Sequence, residues 1–125
     1  MLSIIVCLPR IKVLFLEVKT MLRHMKKILT CGVFDIIHTG HIKFLENCKK
    51  LHKNSKLIVL ISRDSTVLRE KGKKPLISEE KRKKIIETLK MVDQAILGYK
   101  GPDKFKIIQD IKPDVIVLAT GSNDT

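Results

Sequence analysis

The sequence predicts an α/β protein in which helices cover both faces of a parallel sheet. Two observations carry that prediction. Lys56 to Ser62 (KLIVLIS) and Asp114 to Ala119 (DVIVLA) are continuous apolar runs rather than alternating ones, the pattern of strands buried on both faces. Between such runs, apolar residues recur at helical spacing. Strands alternating with helices require parallel pairing through right-handed crossovers. At 125 residues the chain is one domain able to bury a modest core.

The first 24 residues, MLSIIVCLPRIKVLFLEVKTMLRH, stand apart. Pro9, Arg10, Lys12 and Glu17 interrupt their apolar character, and no run approaches the length that spans a bilayer. No basic segment precedes the apolar stretch, as a signal peptide would require. Residues 11–18 are compatible with an extra strand or an amphipathic segment. Residues 1–24 are therefore expected to be a non-catalytic extension, with a dimer or membrane-surface contact as the alternative. Residues 25–125 form the expected functional domain.

From Met25 onward the elements follow in order. Residues 27–31 read as a strand. From His41 to Leu51, Ile42, Leu45, Cys48 and Leu51 recur every three residues and Phe44 widens the stripe, so this is a helix with Lys43, Lys49 and Lys50 outside. His52, just past its end, reads as a solvated residue. Lys56 to Ser62 is the second strand, closed by Arg63-Asp64. The basic stretch through Arg69, Lys71, Gly72, Lys73, Lys74 and Pro75 reads as a loop. Ser78 offers an N-cap with Glu79 and Glu80 in the first turn, and Ile85, Leu89 and Val92 continue at helical spacing. Gln94 to Leu97 is a short third strand. Pro102 suits the start of a last helix, with Phe105, Ile108 and Ile111 as its stripe and Pro113 as its stop. Asp114 to Ala119 is the fourth strand. The result is a three-layer, Rossmann-like arrangement, whose ligands sit at the C-terminal ends of the strands.

The stretch at the end of the first of these strands, TCGVFDIIHTGH from Thr30 to His41, carries the chemistry. His38 and His41 bracket Gly40 where a helix begins. A helix N-terminus offers unpaired N–H groups and partial positive charge, a seat for phosphate. Two imidazoles there add donors that can follow charge growing on a phosphoryl oxygen. Gly32 lets the backbone turn tightly or approach a ligand.

Composition bounds the partners. The net charge is +12; Arg10, Lys12, Lys19 and Arg23 against Glu17 give the extension +3, leaving +9 for the rest. That balance favours nucleotides, phosphates or nucleic acid. Aromatic residues make up only 4% and Trp is absent, which disfavours a base-stacking nucleic-acid module. The three cysteines, Cys7, Cys31 and Cys48, form neither a disulfide framework nor a zinc pattern; Cys31 and Cys48 read as small buried residues of a reduced, cytoplasmic protein.

Residues Gly32 to His41 match every fixed position of the GxFDxxHxGH signature, and the chain resembles the cytidylyltransferase-type nucleotidyltransferases. Arg63-Asp64, KGKKPLISEEKR, VDQAILG and IKPDVIVLA resemble the archaeal FAD synthases more than the glycerol-3-phosphate cytidylyltransferases. The likeness spans residues 25–119. It implies transfer of a nucleoside monophosphate from ATP or CTP to a phosphorylated acceptor, with FMN and ATP giving FAD, and glycerol 3-phosphate with CTP as the alternative. It implies His38 and His41 as donors at the α-phosphate, and Arg82, early in its helix, reaching the phosphates. Lys71 and Lys74 are equal candidates for a loop lysine. Backbone amides at Gly32, Val33, Phe34 and Gly40 would cradle phosphate, and Asp35 would hold a divalent cation, Mg²⁺ or another, or orient a ligand. The family continues beyond a stretch that here reads Thr120-Gly121-Ser122-Asn123-Asp124. A C-terminally truncated, inactive nucleotide-binding fragment is thus a further expectation. A homodimer is also compatible with the family, and neither a nucleic acid nor a membrane is an expected partner.

Overall fold

The computed structural model describes residues 3–5, 25–101, 103 and 105–118. One sheet holds β1 (Ser3–Ile5), β2 (Lys26–Gly32), β3 (Ser55–Ile61), β4 (Gln94–Leu97) and β5 (Val115–Val117) in the order β1-β5-β2-β3-β4. Every neighbouring pair is parallel. The described helices are α1 (Thr39–Lys49), α2 (Asp64–Lys71), α3 (Glu79–Glu87) and α4 (Lys106–Ile111).

The continuous apolar strands do bury both faces. Ile28, Leu57, Val59, Ile61, Ala95, Val115 and Val117 point to the side holding Leu45 and Cys48 of α1 and Ile86 of α3. Their neighbours Leu29, Ile58, Leu60 and Ile116 point to the other side, against Ile107 of α4. The change of side follows from topology. The chain steps β2→β3→β4 in one direction and then crosses back to β5, so a right-handed crossover places α4 on the opposite face. The C-terminal ends of β2 and β5 therefore flank the point where strand order reverses, which is where ligands bind in such sheets. The register sets Ile28 beside Val115 and Thr30 beside Val117, and the buried Thr30 hydroxyl donates to the Val117 carbonyl at 2.9 Å.

Several elements depart from expectation. The stretch read as a loop after Arg63 contains α2, an eight-residue helix ending at Gly72 in the left-handed region, φ 81°. It buries only Thr66 and Val67, too few to write an apolar stripe into the sequence. In α3 the inward residues are Arg82 and Ile86, while Ile85 is exposed. A buried arginine on the inner face disguised that face. The helix stops at Glu87, so Leu89 packs from the turn beyond it. Phe105 is exposed and Ile107 takes the central core position of α4. Ser78 sits at the N-cap of α3 without a side-chain capping bond. Ser3–Ile5 adds a fifth strand beside β5. The segment 11–18, Cys7, the helix start at Pro102, Ala119 and the 120–124 stretch lie outside the described residues.

Candidate active site

β2 ends at Gly32 and the chain turns through Phe34, whose φ of 52° is left-handed. For a non-glycine residue that conformation costs roughly 1–2 kcal/mol. Burial of Phe34 offsets it: the residue is 2% exposed and its ring folds back over Gly32, where a Cβ would lie 2.7 Å from the ring's Cε2. Gly32 is thus fixed by a close approach within the protein.

The helix tip is built by the two histidines. His38 is the N-cap of α1, and its Nδ1 accepts the Gly40 N–H at 3.0 Å. His41 is three residues on, and its Nδ1 accepts the His38 N–H at 3.2 Å. This is a capping box in which imidazole replaces both the usual hydroxyl and the usual carboxylate. The substitution has a chemical consequence. With each Nδ1 used as an acceptor, a neutral ring must carry its proton on Nε2. Both rings therefore keep an Nε2–H donor for a ligand. Their centroids lie 4.0 Å apart, and His41 also packs 5.7 Å from the Phe34 ring. No acidic side chain stands in the first turn of α1, so its positive end is uncompensated.

Burial, and then the neighbouring His38, hold the His41 pKa below the ordinary value of 6.5. The sign follows directly. Between the lowered folded pKa and 6.5 the unfolded chain binds more protons than the folded one, so stability is full above 6.5 and falls on acidification below it. Protonation at Nδ1 also removes the acceptor for the His38 N–H. The melting temperature should therefore drop below about pH 6.5. His41→Gln, which retains an N3 capping side chain, should flatten that part of the profile. Identical pH profiles for the two proteins would contradict this account.

Gly40 answers to the same geometry. A Cβ there would stand 2.7 Å from His38 Cε1 and 3.0 Å from its Nδ1. Alanine favours the helix by about 1 kcal/mol over glycine, yet the His38 ring would have to swing away. Gly40→Ala is expected to melt within a few degrees of the wild type while losing most phosphate affinity, measured by pyrophosphate titration. Unchanged affinity would show that the His38 placement is irrelevant to binding.

The other sequence-predicted residues are distributed unevenly. Asp35 is half-buried, and its two oxygens accept the N–H groups of Leu76 and Ile77, both at 2.9 Å. Arg82 lies beneath the signature with its side chain fully buried. Its Nη1 donates to the Val33 carbonyl at 2.8 Å, its Nε to the Ile77 carbonyl at 2.9 Å, and its Nη2 to Asp64 Oδ1 at 2.5 Å. Lys71 closes α2, and Lys74 is exposed in the segment leading to α3. The structure thus joins Gly32, the buried Phe34, His38, Gly40 and His41 at one helix tip, with Arg82 bracing the loop from within and Asp35 tying it to Leu76 and Ile77.

Sequence reading placed Glu79 in the first turn of its helix and Asp64 at a strand end, and gave neither a role in the site. Glu79 Oε1 accepts the Asp64 N–H at 2.8 Å, and Asp64 Oδ2 accepts the Glu79 N–H at 3.3 Å, so α2 and α3 exchange carboxylates at their N-termini. Arg63 donates to Glu79 Oε2 at 2.8 Å and to the Gly98 carbonyl at 2.6 Å. Burial alone would raise the Glu79 pKa; the Asp64 N–H and the Arg63 guanidinium outweigh it and hold the carboxyl below its usual range. An acid three residues before an arginine, with Arg-Asp at a strand end, was the available signal.

Beside the loop, at the C-terminal ends of the strands, is a cavity of about 510 Å³. Gly32 and Val33 form its edge toward the signature; Leu60, Tyr99, Phe105 and Leu118 supply apolar wall, and Arg63, Glu70 and Lys71 supply charge of both signs. Such a volume suits a small organic ligand. Cys31 also lines it, but burial pushes its thiol up to about 11, and that of Cys48 to about 12. Neither is a nucleophile at neutral pH. Among the described residues no group of three or more His, Cys, Asp or Glu comes together as a metal site, and the Asp35 oxygens are already engaged. These donors do not fit a cation held by the protein alone. Among the described residues, too, no helix is long and apolar enough to cross a membrane.

Fold and loop together define an α/β protein that presents a helix tip and paired imidazole donors at the switch point of a parallel sheet. The chain belongs to the cytidylyltransferase-like family, whose model matches residues 29–123. It is 46% identical over 94 residues to the FAD synthase of Aciduliprofundum boonei, covering 75% of this chain and 60% of that protein. It is 50% identical over 91 residues to the FAD synthase of Methanothermus fervidus, covering 72% and 61%. The chain thus spans about 60% of the length of these curated relatives. Among solved structures, the lipopolysaccharide core biosynthesis protein from Thermoplasma volcanium GSS1 matches with a TM-score of 0.72 and 42% identity, over 82% of this chain and 80% of that one. These likenesses agree with the family reading taken from the signature and the basic segment.

Proposed function

We propose that this domain performs nucleotidyl transfer, most specifically adenylyl transfer from ATP to FMN to give FAD. A phosphate oxygen of FMN attacks the α-phosphorus, the bond to the bridging oxygen breaks, and pyrophosphate leaves with that electron pair. No covalent enzyme intermediate is formed, in keeping with thiols that stay protonated. The observation that carries the reading is the histidine capping box: Nδ1 atoms bound to backbone N–H groups leave two Nε2–H donors at a positive helix end. Preorganised donors of this kind stabilise charge on phosphoryl oxygens. The cavity favours the flavin over glycerol 3-phosphate. Apolar and aromatic walls reward burial of a flat ring system, whereas a small polyol phosphate gains nothing from them. A divalent cation, Mg²⁺ by family resemblance, would reach the site on the triphosphate, and no step is assigned to it.

The test is pyrophosphate release by the 125-residue chain with FMN and ATP, and separately with glycerol 3-phosphate and CTP. Release with the first pair, with FAD as co-product, supports the proposal. Activity with the second pair alone would replace the flavin by glycerol phosphate. Nucleotide binding by calorimetry without release under either condition would favour the inactive-fragment reading.

A further inference from the structure

We propose that Arg82 is a positioning residue, which aims the Phe34 backbone N–H toward the phosphate site by holding the Val33 carbonyl beneath the loop. In a trans peptide the carbonyl of one residue and the N–H of the next point in opposite directions. Arg82 Nη1 takes the Val33 carbonyl from the protein side at 2.8 Å, so the Phe34 N–H of the same peptide unit is directed away from the guanidinium. The left-handed Phe34 follows at once, held by its ring against Gly32.

Arg82 is itself held on two further sides. Nε is fixed by the Ile77 carbonyl and Nη2 by Asp64. Each of its three nitrogens therefore donates to a protein acceptor, and its side chain is wholly buried. A planar fork serving three acceptors at once is a task arginine performs and lysine cannot. The network does not stop there. Asp64 exchanges hydrogen bonds with Glu79, Glu79 binds Arg63, and Arg63 lines the cavity. A continuous series of charged groups thus runs from the cavity wall to the peptide that follows β2. Two of the five N–H groups of Arg82 are left over, but with the side chain wholly buried, direct contact with phosphate, which family resemblance implies, would require it to move from this position.

The inference rests on the nucleotide reading only for the ligand that the N–H meets, and the experiment separates the two. Backbone and arginine side-chain resonances are recorded by NMR for the 125-residue chain, Asp64→Asn and Arg82→Lys, without ligand and with ATP. Without ligand, both variants should shift the Val33 carbonyl and Phe34 amide signals while the β3 signals stay in place. With ATP, the wild-type Phe34 amide should move and the Arg82 Nε–H signal should not. Asp64→Asn should bind ATP about tenfold more weakly, equivalent to about 1.4 kcal/mol. Unchanged Val33 and Phe34 signals in a folded variant would overturn the proposal, as would an Arg82 signal that tracks ATP as strongly as the Phe34 amide. If the wild type binds no ATP, the nucleotide reading fails and the ligand-free spectra still decide the role of Arg82. If both variants unfold, scalar coupling between Arg82 Nη1 and the Val33 carbonyl in the wild type decides it: coupling supports the proposal and its absence refutes it.

Discussion

Replacing His41 with alanine is expected to lower kcat/KM for pyrophosphate release by on the order of 10²–10³, the cost of losing one preorganised donor. The fold should survive. His41 contributes one capping hydrogen bond, to the His38 N–H, and caps of this kind are worth about 1 kcal/mol. His38 keeps its own bond to the Gly40 N–H. The expected signature is therefore a large loss of rate beside a small loss of melting temperature. Steady-state assays paired with thermal melts of the same preparation check it. Near-normal turnover in a folded variant would remove His41 from the reaction.

Arg82→Met should act in the opposite sense, on stability first. The variant loses donors to Val33, Ile77 and Asp64 and leaves the partly buried Asp64 carboxylate without its counter-charge. Breaking a buried pair from one side typically costs about 3–5 kcal/mol. That is a large share of the roughly 5–15 kcal/mol that a small domain possesses. Urea denaturation measures it. Adding Asp64→Asn to Arg82→Met should cost less than the sum of the two single changes, because each removes the same contact. Additive losses, or a single-variant loss under about 1 kcal/mol, would show that the pair does not hold α2 to α3 as described.

These two residues also mark how far the sequence could be read. The pair His38 and His41 was legible because its chemistry is local: donor, acceptor and helix tip lie within four residues. Arg82 was singled out by resemblance, as a phosphate contact, and the residues alone showed only a charge in a basic helix. Its burial depends on Val33, 49 residues away, and Asp64, 18 residues away, and no periodicity announces such partners. The cavity is of the same kind. Its walls come from the ends of β2, β3 and β5 and from the segments around Tyr99 and Phe105, which only the closed sheet brings together.

By itself the sequence determined the parallel α/β class, the succession of the strands from β2 to β5, and the signature at a helix tip. Those properties are set by apolar runs, by 3.6-residue periodicity and by residues close in the chain. The tertiary structure alone decided that α2 is a helix, that Ile86 rather than Ile85 turns inward, that Arg82 braces the loop from inside while Asp35 ties it to Leu76 and Ile77, and that β1 lies beside β5. Each of those depends on which distant groups remain to satisfy a buried donor, acceptor or strand edge, and that is settled only when the layers pack.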